Sequence, residues 1–256
     1  MPLPKWMLTY TLTLQRTVSL LRRLLGASLP NRCLMCQQDI TDDGRGICQH
    51  CLSASLYQTP TCLGCGRTML MQTAYCGRCM AVSPLMVIAP ASYHQGIGEH
   101  VAAIKYQAQL AGLGSLTRAL VQRVIELEAL AIIQRPQALI VVPLHPNRLR
   151  QRGFNQAWLI ADSLSRQLNI PLVDDAVLRR VDTKPQAGLT GKQRRRNLAN
   201  AFELNDDFNY QRIAIVDDVV TTGTTANTIA ELFEARYIHV QVWCLARAEA
   251  PGLLDN

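Results

Sequence analysis

Eight of the nine cysteines in the sequence fall within one short stretch and recur as pairs separated by two residues. They are Cys33, Cys36, Cys48, Cys51, Cys62, Cys65, Cys76 and Cys79. Each pair can supply two thiolates from one tight turn, and two pairs supply the four sulfurs of a tetrahedral zinc site. The spacing therefore predicts two structural zinc ions per chain. Two sequential tetrads, each built from neighbouring cysteine pairs, would close the shorter loops and are therefore favoured. The spacing alone does not exclude an interleaved arrangement.

Disulfide bonds are the alternative interpretation of these cysteines. The amino-terminal apolar segment has basic residues within and after it and no small-residue cleavage site, so we expect no secretion signal and a cytoplasmic protein. Thiols stay reduced in that compartment, which favours metal over disulfides. A module this small buries too little apolar surface to fold alone. Zinc binding is therefore expected to contribute on the order of 10 kcal/mol to its folding.

A second cluster combines carboxylates, hydroxyls and one glycine after an apolar run at 213–216. It consists of Asp217 and Asp218 followed by Val219, Val220, Thr221, Thr222, Gly223, Thr224 and Thr225. Backbone N–H groups and threonine hydroxyls in such a loop can enclose a phosphate at the positive end of a following helix. The carboxylates can accept hydrogen bonds from ribose hydroxyls or help to hold a magnesium-bound ligand. The segment therefore predicts a site for a phosphorylated sugar.

The elements that must position this cluster alternate between strands and helices. Short apolar runs at 85–91, 138–142, 213–216 and 240–246 predict buried strands, and apolar residues at helical spacing fill the intervals. Alternation of this kind predicts an α/β domain with a mostly parallel, doubly wound sheet, whose ligands bind beyond the carboxyl ends of the strands.

The composition suggests three segments: an amphipathic helix within 1–30, the zinc module at 31–82 and the α/β domain at 83–250. For the first helix, packing on the protein is favoured over contact with a membrane surface. No apolar stretch approaches the roughly 20 residues that a membrane span needs. The formal net charge of +7 favours anionic partners, such as phosphates or nucleic acid, without identifying one.

The chain also resembles a known family. Residues 216–225 resemble the phosphoribosyl pyrophosphate motif of type I phosphoribosyltransferases, and residues 143–156 resemble the signature of the ComF branch, which includes the GntX-type proteins. The double cysteine module matches that branch too. The resemblance implies a type I phosphoribosyltransferase fold, Mg²⁺ bound with phosphoribosyl pyrophosphate, and a link to DNA uptake or to the use of DNA as a nutrient. It places Asp217 and Asp218 at the ribose and residues 221–225 around the 5′-phosphate.

The resemblance extends to two further segments. The turn Pro143, Leu144 and His145, with Arg152 beyond it, corresponds to the pyrophosphate-binding turn. A basic segment at 183–197 corresponds to the flexible loop that closes over the reaction centre and excludes water, with Lys184, Gln186, Arg194 and Asn197 as its candidate contacts. Lys105, on an early helix, also resembles a family position.

Two functions use these same residues. The first is an enzyme in which magnesium and arginines neutralise the departing pyrophosphate while an acceptor nitrogen attacks C1 of the ribose. The second is a non-catalytic accessory protein of DNA uptake that senses the ligand or binds single-stranded DNA and DNA-uptake proteins. With 5% aromatic residues, an extended base-stacking platform is not expected, and no base-specificity loop identifies an acceptor.

Overall fold

A computed structural model describes residues 31–41, 44–181, 201–205 and 208–249. The helix expected within 1–30 and the loop contacts Lys184, Gln186, Arg194 and Asn197 lie outside the described residues. Within the described part, no helix has the length and apolar content needed to cross a membrane.

The described chain forms short helices in the cysteine-rich part and alternating strands and helices after it. The helices are α1 (Gln49–Ser55), α2 (Gly77–Val82), α3 (Gly98–Gln107), α4 (Leu113–Ala129), α5 (Pro146–Arg152), α6 (Gln156–Leu168) and α7 (Thr224–Glu234), with short turns at Tyr93–Ile97 and Leu110–Gly112. The strands are β1 (Met86–Ile88), β2 (Ala138–Val141), β3 (Leu172–Val173), β4 (Val177–Arg179), β5 (Phe202–Leu204), β6 (Arg212–Val220) and β7 (His239–Arg247).

Five strands form one parallel sheet in the order β1-β7-β6-β2-β3, which confirms the expected fold class. Its central strands are buried because both faces are covered, and this explains their continuous apolar runs. All four residues of β2 are buried, as is Trp243 at the middle of β7. The remaining strands, β4 and β5, form a separate antiparallel pair.

The connections place the helices on both faces of the sheet. α4 and α6 pack against each other on one face, and both lead the chain in the direction from β1 toward β3. α7 leads back from β6 to β7, so a right-handed crossover puts it on the opposite face. The chain therefore leaves the neighbouring strands β2 and β6 in opposite directions. Such a switch point opens a crevice at the carboxyl ends of the two strands, where ligands bind in sheets of this type.

Candidate functional site

The carboxylates of the acidic pair lie on the part of β6 that projects beyond β2. The last paired residue of β2, Val141, lies opposite Val216, so Asp217 and Asp218 follow at the carboxyl end of the sheet with no β2 neighbour. β6 continues to Val220 because β7 stays paired with it to that residue. Val219 and Val220 therefore belong to the strand, and the loop proper begins at residue 221.

A lysine from a distant part of the sequence forms an ion pair with one of these two carboxylates. The Nζ atom of Lys105, in the last turn of α3, lies 3.4 Å from Oδ2 of Asp218. Burial, reinforced by the charge of Asp218, raises the pKa of Asp217 to about 8. Burial alone would lower the pKa of Lys105, but the charges of Asp218 and Asp217 outweigh it, and the lysine pKa is raised. The three groups therefore form one electrostatic unit in which Lys105 partly neutralises two adjacent carboxylates.

The hydroxyl-rich loop connects β6 to the start of α7. Gly223 has a φ of +70°, a left-handed conformation that glycine adopts without strain, and α7 begins at the next residue. The Oγ1 atoms of Thr222 and Thr224 lie 2.8 Å apart. The first turn of α7 contains no acidic residue, and its N-cap residue, Gly223, has no side chain that could form a cap hydrogen bond. The backbone donors and the positive end of the helix dipole therefore point toward the loop, as an anion site requires.

The turn after β2 lies on the other side of the switch point. Pro143, Leu144 and His145 are half-buried there, and the Nδ1 atom of His145 accepts a hydrogen bond from the Asn147 amide at 3.3 Å at the start of α5. Asn155 is the N-cap of α6: its Oδ1 accepts a hydrogen bond from the Ala157 amide at 3.1 Å. Two further contacts hold the turn in place. Asn155 donates from Nδ2 to the Val142 carbonyl at 3.1 Å, and the Arg152 guanidinium donates to Oε1 of Gln156 at 2.9 Å.

The eight paired cysteines form two tetrads in sequential order. The first comprises Cys33, Cys36, Cys48 and Cys51, and the second comprises Cys62, Cys65, Cys76 and Cys79. Within each tetrad the sulfur atoms lie within 4.8 Å of one another. The sulfur atoms of Cys36 and Cys48 lie 3.9 Å apart in the first tetrad, and those of Cys65 and Cys76 lie 3.8 Å apart in the second. A zinc ion with bonds of about 2.3 Å would place its sulfurs roughly 3.8 Å apart, so both tetrads fit structural zinc.

Backbone amides stabilise the tetrads further. The amides of Met35 and Cys48 donate to the sulfur of Cys33 at 3.4 and 3.3 Å, and the Cys76 amide donates to the sulfur of Cys62 at 3.1 Å. Such donors favour the thiolate form that binds the metal. The ninth cysteine, Cys244, is buried in β7, in agreement with a role in the core.

Comparison with family models assigns both parts of the chain. Residues 24–80 match the model of the double zinc ribbon domain, and residues 155–255 match that of the phosphoribosyl transferase domain. Two relatives match most of this chain over nearly their whole length. Competence protein F of Haemophilus influenzae is 36% identical over 85% of this chain and 97% of its own length. The DNA utilization protein YhgH of Escherichia coli strain K12 is 33% identical over 86% of this chain and 98% of its own length.

More distant similarity extends to solved structures of phosphoribosyltransferases. A hypoxanthine phosphoribosyltransferase from Staphylococcus aureus matches 56% of this chain and 68% of its own, with a TM-score of 0.32 and 12% identity. An orotate phosphoribosyltransferase from Aeropyrum pernix matches 52% of this chain and 70% of its own, with a TM-score of 0.29 and 19% identity.

Proposed function

This chain belongs to the ComF/GntX family, and we propose that it binds phosphoribosyl pyrophosphate with Mg²⁺ in the crevice between the carboxyl ends of β2 and β6. The observation that carries this proposal is the meeting of Asp217, Asp218 and Lys105 beside a hydroxyl-rich loop at the switch point of the sheet. A phosphorylated sugar needs both kinds of partner, because its phosphate seeks amide and hydroxyl donors while its ribose hydroxyls seek acceptors.

Each part of the proposed ligand has a counterpart along the crevice. Residues 221–225 and the first turn of α7 hold the 5′-phosphate. Asp217 and Asp218 accept hydrogen bonds from the ribose hydroxyls. Pro143, Leu144, His145 and Arg152 take the pyrophosphate, whose charge Lys105 helps to balance.

The acidic pair also fits magnesium. Mg²⁺ prefers carboxylate oxygens and is usually held by one or two carboxylates together with substrate phosphates. Asp217 and Asp218 offer such oxygens, and the position of the Lys105 ammonium, 3.4 Å from Asp218, supports a place for positive charge beside this carboxylate. When bound, the metal would neutralise charge on the pyrophosphate. Lys184, Gln186, Arg194 and Asn197 are proposed to close over the ligand and to exclude water.

We place this activity in the cytoplasm, in the uptake or utilisation of DNA. The support comes from the relatives named a competence protein and a DNA utilization protein, which align along almost their full lengths. If the protein is a transferase, the C1–O bond to pyrophosphate breaks as a bond from C1 to an acceptor nitrogen forms, and the acceptor loses a proton.

Calorimetric titration tests the binding proposal directly. We expect zinc-loaded protein to bind phosphoribosyl pyrophosphate in the presence of Mg²⁺ and the double variant Asp217→Asn/Asp218→Asn to show no binding. The double variant should keep a melting temperature at or above that of the wild type, because it loses two adjacent like charges. A large fall in its melting temperature would assign these carboxylates a structural role instead. Pyrophosphate release with a panel of nucleobases then tests transfer.

Single-stranded DNA binding is a second candidate function. The positive net charge and the names of the relatives favour it. Titration of fluorescent single-stranded DNA at low and rising salt separates the two candidates, since DNA binding should not require Asp217 or Asp218. Absence of DNA binding at low salt would eliminate direct contact with DNA as a function of the purified chain.

A further inference from the structure

The side chain of Arg247, the last residue of β7, reaches into the second zinc module. Its Nη1 donates to the carbonyl oxygen of Leu63 at 2.9 Å, and its Nη2 donates to that of Gly64. Leu63 and Gly64 are the two residues between Cys62 and Cys65, so their carbonyls belong to the turn that presents two zinc thiolates. One guanidinium therefore clamps the metal-binding turn with two charge-assisted hydrogen bonds.

The backbone of Arg247 lies beside the start of the hydroxyl-rich loop. Arg247 is paired with Val220, the residue immediately before residue 221, and the next amide, that of Ala248, donates to the Val220 carbonyl at 2.8 Å. On its other side, the Arg247 amide donates to the Ala91 carbonyl at 3.0 Å. The same residue thus contacts the zinc turn through its side chain and pairs through its backbone with Val220, the residue immediately before the candidate phosphate loop.

A buried carboxylate two residues further on strengthens this junction. Glu249 is 5% exposed and accepts a hydrogen bond from the Ser92 hydroxyl at 2.6 Å and another from the Tyr57 hydroxyl. A Cβ atom on Gly66 would lie 2.6 Å from Cγ of Glu249, so the second module sits directly against the end of β7. The junction is closely packed and hydrogen-bonded.

The first tetrad faces a different part of the domain. The Arg45 carbonyl, three residues before Cys48, accepts from the Ser115 hydroxyl at 2.9 Å, and Gly46 packs against Ala111. These contacts lie at the start of α4. The two zinc sites are therefore inequivalent with respect to the loop at 221–225.

We propose that Arg247 is a positioning residue that couples zinc at the second tetrad, and not at the first, to the order of the phosphate loop. The two acceptor carbonyls keep their positions only while four thiolates hold the metal, because such turns are organised by zinc. Without zinc, the guanidinium loses both acceptors, the last pairs of β6 with β7 open, and the loop loses its anchor. The consequence for phosphoribosyl pyrophosphate affinity rests on the proposed function, whereas the consequence for loop order does not.

Hydrogen exchange of the full-length, zinc-loaded protein, measured by mass spectrometry on the peptide that covers 216–226, tests the coupling. We expect faster exchange there in Arg247→Ala and in Cys65→Ser, and wild-type exchange in Cys36→Ser. Arg212→Ala, which changes an arginine at the opposite end of β6, is the matched control and should leave this peptide unchanged. Arg247→Lys should restore part of the protection, because an ammonium can still donate to one carbonyl.

Two results would overturn the coupling. One is unchanged exchange of the peptide in Arg247→Ala that retains two zinc ions and the wild-type melting temperature. The other is equal acceleration by Cys36→Ser and Cys65→Ser. If Arg247→Ala does not fold, Arg247→Lys takes its place: exchange between that of the wild type and that of Cys65→Ser supports the coupling, and wild-type exchange overturns it.

Ligand titration of the same proteins separates this inference from the proposed function. If the wild type binds phosphoribosyl pyrophosphate, Arg247→Ala should weaken binding by about tenfold, the effect of losing the two hydrogen bonds that join the zinc turn to the end of β7. If the wild type does not bind it but the exchange pattern holds, the proposed function fails and the coupling stands. If Arg247→Ala and Cys65→Ser both bind the ligand with wild-type affinity and show unchanged exchange, the coupling fails and the function stands.

Discussion

The Nζ atom of Lys105 lies 3.4 Å from Oδ2 of Asp218, although 113 positions separate the two residues in the sequence. The lysine lies on α3, the helix after β1, and the aspartate lies on β6, which is two strands from β1 in the sheet. The contact brings a positive charge to a place where two carboxylates adjoin. Stability of the ligand-free protein should therefore depend on how this charge is balanced.

Replacing the lysine tests that balance. Lys105→Met removes the cation that stabilises the ionised form of Asp217, so we expect a lower melting temperature and a larger fall at pH 8.5, where that carboxyl is more ionised, than at pH 6. The lysine side chain is 36% exposed, and solvent screening limits the loss to under about 1 kcal/mol. That corresponds to at most about 4 °C in a domain of this size. Lys105→Arg should behave like the wild type in scanning fluorimetry, and an equal fall in both variants would contradict the electrostatic explanation.

Asp217 itself should make stability depend on pH in magnesium-free buffer. Burial, and then the charge of Asp218, raises its pKa from 3.8 to about 8. A carboxyl whose pKa rises on folding stabilises the folded state below its ordinary pKa, and this contribution is lost as pH rises through the folded value. Asp217→Asn should therefore exceed the wild type in melting temperature more at pH 9 than at pH 6. The exposed Asp175→Asn is the control, and a difference independent of pH would refute the assignment.

The glycine of the loop should matter through its backbone alone. In Gly223→Ala, the added Cβ would lie 3.5 Å from Nδ2 of Asn227, an ordinary contact, but the φ of +70° would cost about 1 kcal/mol. We expect the melting temperature to fall by about 2 to 4 °C and ligand affinity to weaken. Gly114→Ala, a helical position in α4 with open space around its Cβ, should hold or raise the melting temperature. Thermal scans and calorimetry measure both effects.

Metal content should follow the sequential tetrads. Elemental analysis of protein purified under reducing conditions without chelator should give two zinc ions per chain, and the double variant Cys36→Ser/Cys48→Ser should retain one. Cys244→Ala should retain both, because that cysteine is buried in β7. A complete absence of zinc in the wild type would refute the metal sites.

The basic segment allows a test of direct DNA binding. If the protein binds single strands, neutralising Arg194, Arg195 and Arg196 should weaken binding and lower its salt dependence. Each lost phosphate contact reduces the slope of log affinity against log salt by about 0.7. Asp217→Asn should leave this slope unchanged. If the protein is instead a transferase, neutralising these three arginines should alter turnover. Asp217 and Asp218 should then be indispensable for pyrophosphate release.

The strands and the acidic loop could be predicted because their signals are local. The apolar run at 213–216 identified β6, and helical spacing identified α6, yet β6 is longer than its run because pairing with β7 extends it to Val220. The cysteine spacing left sequential and interleaved tetrads open, and folding brings neighbouring pairs together. The boundary of the zinc module at residue 82 stays a prediction.

Other features of the site depend on contacts between distant segments. Lys105 stood out only through its resemblance to a family position, and nothing in the residues around Arg247 or Glu249 indicated partners near Leu63 or Tyr57. An arginine at the end of a strand has no periodicity or spacing that reveals a carbonyl acceptor 184 positions earlier. Such pairs become visible only when the sheet order is known.

Gly46 and Gly66 both have positive φ, and a Cβ on either would collide with atoms of the α/β part, at Ala111 and at Glu249. The cysteine-rich part therefore packs directly against the α/β part and is not a module joined to it only by a flexible linker. We expect the described chain to melt in one cooperative transition. A chimaera that carries the cysteine-rich part of a relative would fold only if the contact surfaces around α4 and the end of β7 were taken from the same relative.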